Sequence, residues 1–177
     1  MELKLVKTTD TGYIDYIIEK EKNFSYLGEN VKLSKEDLIS LIDEEGGLAF
    51  IIKSENVSAG YVIILPYEEK HCEILEINTV FIESAFRNKG IAERAVKEAI
   101  KIAEKENGLN EYKLVSQVAT TNGSSQRLMD KLKLNKVILF EEFYSLSKID
   151  AYIYHKLIKG GFTSWSQENF IFSYLSF

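Results

Sequence analysis

With 177 residues the chain has room for one domain, and 45% hydrophobic against 28% charged residues excludes a disordered or collagen-like polymer. Its single cysteine, Cys72, rules out an intrachain disulfide and any multi-cysteine zinc site, so no metal centre is expected. A net charge of −5 argues against a nucleic-acid backbone as partner and leans toward cationic ligands.

The opening Met-Glu-Leu-Lys-Leu-Val-Lys breaks every apolar run with a charge, unlike a signal or transit peptide. The apolar runs at 48–52 and 61–65 are too short to cross a bilayer, so a cytoplasmic chain with no membrane partner is expected. Residues 2–7 alternate as a short strand. Asp10 or Thr11 then caps a helix whose apolar face is Tyr13, Ile14, Ile17 and Ile18. Ser34 with Asp37 reads as a capping box for a second helix, with Leu38, Ile39, Leu41 and Ile42 apolar and Gly46-Gly47 ending it. Leu48–Lys53, Ala59–Leu65 and Cys72–Ile82 read as antiparallel strands with Asn56 and Pro66 in the turns.

At Gly90 the period changes. Ile91, Ala92, Ala95, Val96, Ala99, Ile100, Ile102 and Ala103 recur at helical spacing until Asn107-Gly108, with Glu93 and Lys97 paired on the wet side. Tyr112–Ala119 is then a strand, Gly123–Lys133 a helix, and Val137–Tyr144 with Ile149–Ile158 a closing hairpin. A strand, a long helix and another strand make a crossover inside an otherwise antiparallel sheet, so the fold class is α/β with a mixed sheet flanked by helices.

Chemistry concentrates where that crossover begins. Val80-Phe81-Ile82-Glu83-Ser84-Ala85-Phe86-Arg87-Asn88-Lys89-Gly90-Ile91-Ala92 ends a strand, turns, and opens the long helix with a glycine that lets backbone approach a ligand. The first amides of a helix lack internal acceptors and carry partial positive charge, which suits a phosphate or diphosphate, and Arg87 and Lys89 add formal charge. An ordinary helix start with exposed basic residues is the competing reading. No Gly-x-Gly occurs, and no Gly-Lys-Ser/Thr stands at P-loop spacing, which removes the markers of dinucleotide redox and nucleotide hydrolysis.

At these residues the chain resembles the GNAT superfamily of N-acetyltransferases, whose acetyl-CoA motif Arg/Gln-x-x-Gly-x-Gly/Ala is matched by Arg87, Asn88, Lys89, Gly90, Ile91 and Ala92. Asn122-Gly-Ser-Ser125-Gln-Arg-Leu128-Met129-Asp130-Lys131 is similar to that family's Asn-x-x-Ala-x-x-Leu-Tyr-Glu-Lys segment. The resemblance covers residues 1–158. It implies an acyl-CoA N-acyltransferase fold over 1–159 and an acetyl-CoA cofactor that supplies an acetyl group to a primary amine in a ternary complex. It assigns to the cofactor Val80, Phe81 and Ile82, the loop from Arg87 and Asn88 through Lys89, Gly90, Ile91 and Ala92, and Asn122 and Ser125. The acceptor is then an amine-bearing small molecule or a protein amine.

Glu76, eleven residues before Arg87, matches the position of a catalytic glutamate in some members of the family, and its apolar neighbours Ile74, Leu75 and Ile77 would raise its pKa toward that of a base. A solvent-facing or lysine-paired carboxylate is the alternative. Where the family has a tyrosine acid this chain has Met129, which cannot donate a proton, so Tyr144, Tyr152, Ser125 or water must reprotonate the departing sulfur. That departure also motivates a second function, an acyl-CoA-binding sensor without turnover. By strand alternation Asn78 and Val80 share a face with Glu76 and line the acceptor cleft. His155 reads as a structural or surface histidine rather than a catalytic one, and Cys72 beside His71 as a small apolar strand residue rather than a nucleophile. Residues 160–177, with Phe162, Trp165, Phe170, Phe172, Tyr174 and Phe177, form an aromatic extension that packs on its own domain, covers the cleft or pairs with a second subunit as a homodimer.

Overall fold

A computed structural model describes residues 1–22, 33–69, 72–144 and 148–160, without the side chains of 142–144. His71, the aromatic extension beyond Gly160 and the Tyr144 side chain therefore lie outside the described residues. In chain order the elements are β1 (Glu2–Leu5), α1 (Thr11–Glu21), α2 (Lys35–Asp43), β2 (Leu48–Ser54), β3 (Val57–Glu69), β4 (Cys72–Ile82), α3 (Ile91–Asn107), β5 (Glu111–Ala119), α4 (Gly123–Lys131), β6 (Asn135–Tyr144) and β7 (Ile149–Lys159). A 3₁₀ turn at Ser84–Phe86 joins β4 to α3.

Among the described residues the strands form one seven-stranded sheet in the order β1-β2-β3-β4-β5-β7-β6. Every pairing is antiparallel except β4 with β5, where α3 is the crossover. Helices cover both faces, because each strand face and each helix stripe carries apolar residues that must meet another element. On one face α3 and α4 bury Ala95, Val96, Ala99, Ile100, Leu128 and Met129 against Leu75, Ile77, Leu114 and Val118. The full burial of Val96 and Ile100 contributes about 1.5–3 kcal/mol each. On the other, Ile14 and Ile17 of α1 and Leu38 of α2 pack on Ala49, Ile51, Tyr61 and Ile63. Among the described residues no helix is long and apolar enough to cross a membrane.

The helix ends follow their local chemistry. Ser34 and Asp37 make the reciprocal capping box, and Glu93 pairs with Lys97 at 2.6 Å. Tyr112 of β5, buried, donates its hydroxyl to Glu104 of α3 at 2.8 Å and so ties the crossover helix to the strand that follows it. Asp10 does precede α1, but its carboxylate accepts from the Lys7 N–H at 3.1 Å instead of capping the helix.

Two expectations need correction. Pro66 is not in a turn: β3 runs on to Glu69, with Pro66 opposite Leu75. Pairing with β2 stops at Ile64, so among the described residues β3 beyond that point has a partner on one side only, and an edge position tolerates a residue without an N–H. Asn78 and Val80 do not simply continue the face of Glu76. Ile63 lies opposite Thr79 while Ile64 lies opposite Ile77, which makes Asn78 the extra residue of a β-bulge. The bulge reverses the alternation, so Leu75 and Ile77 before it and Val80 and Ile82 after it all pack toward α3. Glu76 faces the α1/α2 side, which Phe81 regains beyond the bulge.

Candidate active site

The parallel ladder between β4 and β5 is short. Ile74, Leu75 and Glu76 pair with Lys113, Leu114 and Val115, and there the ladder ends. The ladder stops two residues before the bulge at Asn78, and such insertions bend a strand and disrupt its pairing. One residue past the last pair, the buried Ser116 hydroxyl donates to the Ile77 carbonyl at 2.9 Å, closing the apex with a side chain where backbone no longer reaches. Below it the strands enclose a cleft of ≈ 200 Å³, lined by Glu76–Val80, Ser116–Ala119, Asn122, Ser125, Leu128, Met129 and Glu21.

The turn into α3 is built to present main-chain donors. Asn88 and Gly90 both adopt left-handed backbone, with φ of 60° and 70°. Alternating such conformations gathers successive N–H groups on the concave side of a turn. Gly90 is the N-cap and offers no side-chain acceptor, so the first-turn amides of Ile91, Ala92 and Glu93 have no partner within the helix. A Cβ placed on Gly90 would meet no protein atom within 4 Å, so the space before these amides is open. Arg87 secures the loop by donating from Nε to the Ile82 carbonyl at 2.8 Å. Lys89 lies 5.5 Å from the Phe86 ring centroid. Glu93 would repel an anion here, but Lys97 pairs with it and holds its carboxyl below the usual carboxylate range.

A model of the Acetyltransferase (GNAT) family matches residues 14–133. The chain belongs to that family. Comparison with curated proteins finds no match. Solved structures similar to this GNAT chain share its fold at low identity. The ribosomal-protein-S18-alanine N-acetyltransferase of Escherichia coli is 18% identical with a TM-score of 0.66, over 97% of this chain and 99% of that one. Arabidopsis thaliana NAA60 with acetyl-CoA is 13% identical with a TM-score of 0.69, over 89% and 98%. A spermidine N-acetyltransferase chimera from Vibrio cholerae and hSSAT is 16% identical with a TM-score of 0.69, over 89% and 96%.

In this GNAT chain Glu76 stands at the head of the cleft, at the last paired position of β4. It is half-buried, has no hydrogen-bond or ion-pair partner among the described residues, and burial pushes its carboxyl above the ordinary glutamate value. Asn122 accepts the Ser125 N–H at 3.1 Å, so its side-chain carbonyl caps α4, and its amide N–H groups have no partner among the described residues. Ser125 and Met129 are one helical turn apart and both line the cleft. Met129, where the sequence resemblance leads to the expectation of a tyrosine, is 2% exposed, so the side chain there is apolar and buried.

The other residues weighed as proton donors divide. Ser125 is in the cleft. Tyr152 is not among the lining residues; Lys136 lies over its ring at 3.9 Å and it packs against the α3-side core. Tyr144 pairs through its backbone with Ile149 at the end of the β6/β7 hairpin. His155 sits in the same cross-sheet row as Glu76, through Val115, but does not line the cleft. Burial, then the charge of Lys113, hold its imidazole below the usual value.

Glu21 is the residue that reading the sequence missed. It ends α1, lines the cleft, and accepts the Tyr61 hydroxyl at 2.6 Å. A signal was present: Ile14, Ile17, Ile18 and Glu21 follow the i, i+3, i+4, i+7 spacing, so a carboxylate falls on the apolar stripe of α1.

Proposed function

We propose that the protein is an N-acetyltransferase that moves an acetyl group from acetyl-CoA to a primary amine by direct attack in a ternary complex. The observation that carries this reading is a cleft with a half-buried carboxylate at its head, unpaired among the described residues, and open main-chain donors at the neighbouring corner. The similar NAA60 structure is a complex with acetyl-CoA, and the residues here fit such a cofactor. The amides from Asn88 to Ala92, with Arg87 and Lys89, would hold its diphosphate. Val80, Phe81 and Ile82 on one side and Asn122 and Ser125 on the other would flank its pantetheine arm in the gap between β4 and β5.

Acetyl-CoA supplies the acetyl thioester, whose C–S bond breaks as the C–N bond to the amine forms. Glu76, kept partly protonatable by burial, removes the proton from the attacking nitrogen directly or through water. Met129 cannot return a proton to sulfur, so that proton comes from water, from the Ser125 hydroxyl in the same cleft, or from Tyr144, the donor that the sequence nominates. Ser116 fixes the apex and so the distance between the two strands.

Met129 also supports a second reading, an acyl-CoA-binding sensor without turnover. Thiol release from acetyl-CoA with a panel of primary amines separates the two. Turnover that falls about 10²–10⁴-fold in Glu76→Gln supports the enzyme with Glu76 as base. Cofactor binding with no turnover on any amine supports the sensor.

A further inference from the structure

The cleft holds one carboxylate more than acyl transfer needs. Glu76 alone suffices to take a proton from an amine, yet Glu21 enters the same space from α1. It is not a loosely placed surface group. Tyr61, fully buried, grips one of its oxygens, and Tyr61 is itself fixed by stacking on Phe81, with centroids 5.4 Å apart, and by the edge of Tyr16 at 6.4 Å. Among the described residues no other side chain bonds the Glu21 carboxylate.

Nothing described neutralises Glu21. The nearest lysine in sequence on its helix, Lys20, pairs with Glu83 at 3.0 Å. Neither Glu21 nor Glu76 has an ion pair among the described residues. Burial raises the Glu21 carboxyl and the Tyr61 hydrogen bond partly offsets that rise, whereas Glu76 is raised by burial only. The two carboxylates come from different elements, α1 and β4, and line the same cleft. Two half-buried, unneutralised carboxylates in a cleft on a chain of net charge −5 are complementary to a ligand with two positive charges.

Resting on the acetyltransferase reading above, we propose that Glu21 determines acceptor choice and that the acceptor is a diamine, one amino group presented to Glu76 and the second held as an ammonium by Glu21. The charge-assisted contact to Glu21 gives no benefit to a monoamine, which leaves that carboxylate facing an alkyl end.

Binding tests this without requiring turnover. A series of α,ω-diaminoalkanes and the 1-aminoalkanes of matching length are titrated calorimetrically into the CoA-saturated protein. The best diamine should bind at least about tenfold more tightly than its matched monoamine. Glu21→Gln should bring that ratio to near unity, and Tyr61→Phe, which keeps the carboxylate but removes its anchor, should narrow it part-way. A wild-type ratio near unity, or one that survives in both variants, overturns the proposal. Should Glu21→Gln fail to fold, the Tyr61→Phe ratio decides. Failure of the enzymatic reading is seen elsewhere, as absent thiol release with a diamine that binds.

Discussion

The two ends of α3 provide a matched pair for testing the anion-binding corner. Gly90 and Gly108 flank the same helix, with φ of 70° and 65°, and a Cβ at either would meet nothing within 4 Å. Replacing either with alanine therefore adds no protein clash, only the cost of a side chain in left-handed backbone, about 1–2 kcal/mol. For a chain of this length that lowers Tm by roughly 2–8 °C, and the two variants should lose about the same amount. Function should separate them. At Gly90 the new methyl stands before the open amides, or the loop relaxes and turns them away. A hydrogen bond to a charged group contributes about 1.5–3 kcal/mol, so losing one weakens acetyl-CoA roughly 10–150-fold. Calorimetric titration of acetyl-CoA into wild type, Gly90→Ala and Gly108→Ala, with melting curves on the same samples, reads both quantities. Equal affinity in all three, with stability lost in both variants, would reduce Gly90 to a helix cap and refute the cradle.

Three further outcomes follow from the cleft. Because burial raises the folded-state pKa of Glu76, the native protein holds more protons than the unfolded chain between the ordinary glutamate value and that raised value. Stability from this group thus falls as pH rises through that window, and Glu76→Gln should melt higher than wild type above it while the gap closes in acid; a gap independent of pH would contradict the burial account. Ser116→Ala removes the donor to a buried carbonyl and should cost about 1–3 kcal/mol in chemical denaturation while weakening acetyl-CoA, whereas an unchanged affinity would show that the apex does not set the cleft. Met129→Tyr places a hydroxyl in the cleft at an overpacking cost of about 1–3 kcal/mol, and kcat should rise if sulfur protonation limits the reaction; an unchanged kcat would mean water already serves that step.

Much of the fold is legible in local pattern. The change of period at Gly90, the Ser34/Asp37 box and the glycine after Asn107 are short-range signals, and each element they mark is present. Pro66 and Asn78 depart from expectation because their reasons are not local. Pro66 is tolerated where β2 falls short, and the bulge at Asn78 shows only in the register of β3 against β4. The site divides in the same way. Asn88 to Ala92 form one contiguous turn, visible as a motif, and Glu76 stands out as a charge within an apolar run. Glu21 lies 55 positions before Glu76, and its place in the cleft depends on α1 packing over β3 so that Tyr61 meets it. Ser116 has no sequence mark at all, since its role arises only where two strands part.

The position of the bound cofactor is the most direct test, and a crystal structure of the protein with acetyl-CoA measures it. The diphosphate should sit within hydrogen-bond distance of the amides between Asn88 and Ala92, with the pantetheine arm between β4 and β5 and the thioester near Glu76. A cofactor bound elsewhere on the molecule, or a cleft left empty at saturating acetyl-CoA, would contradict the proposed function.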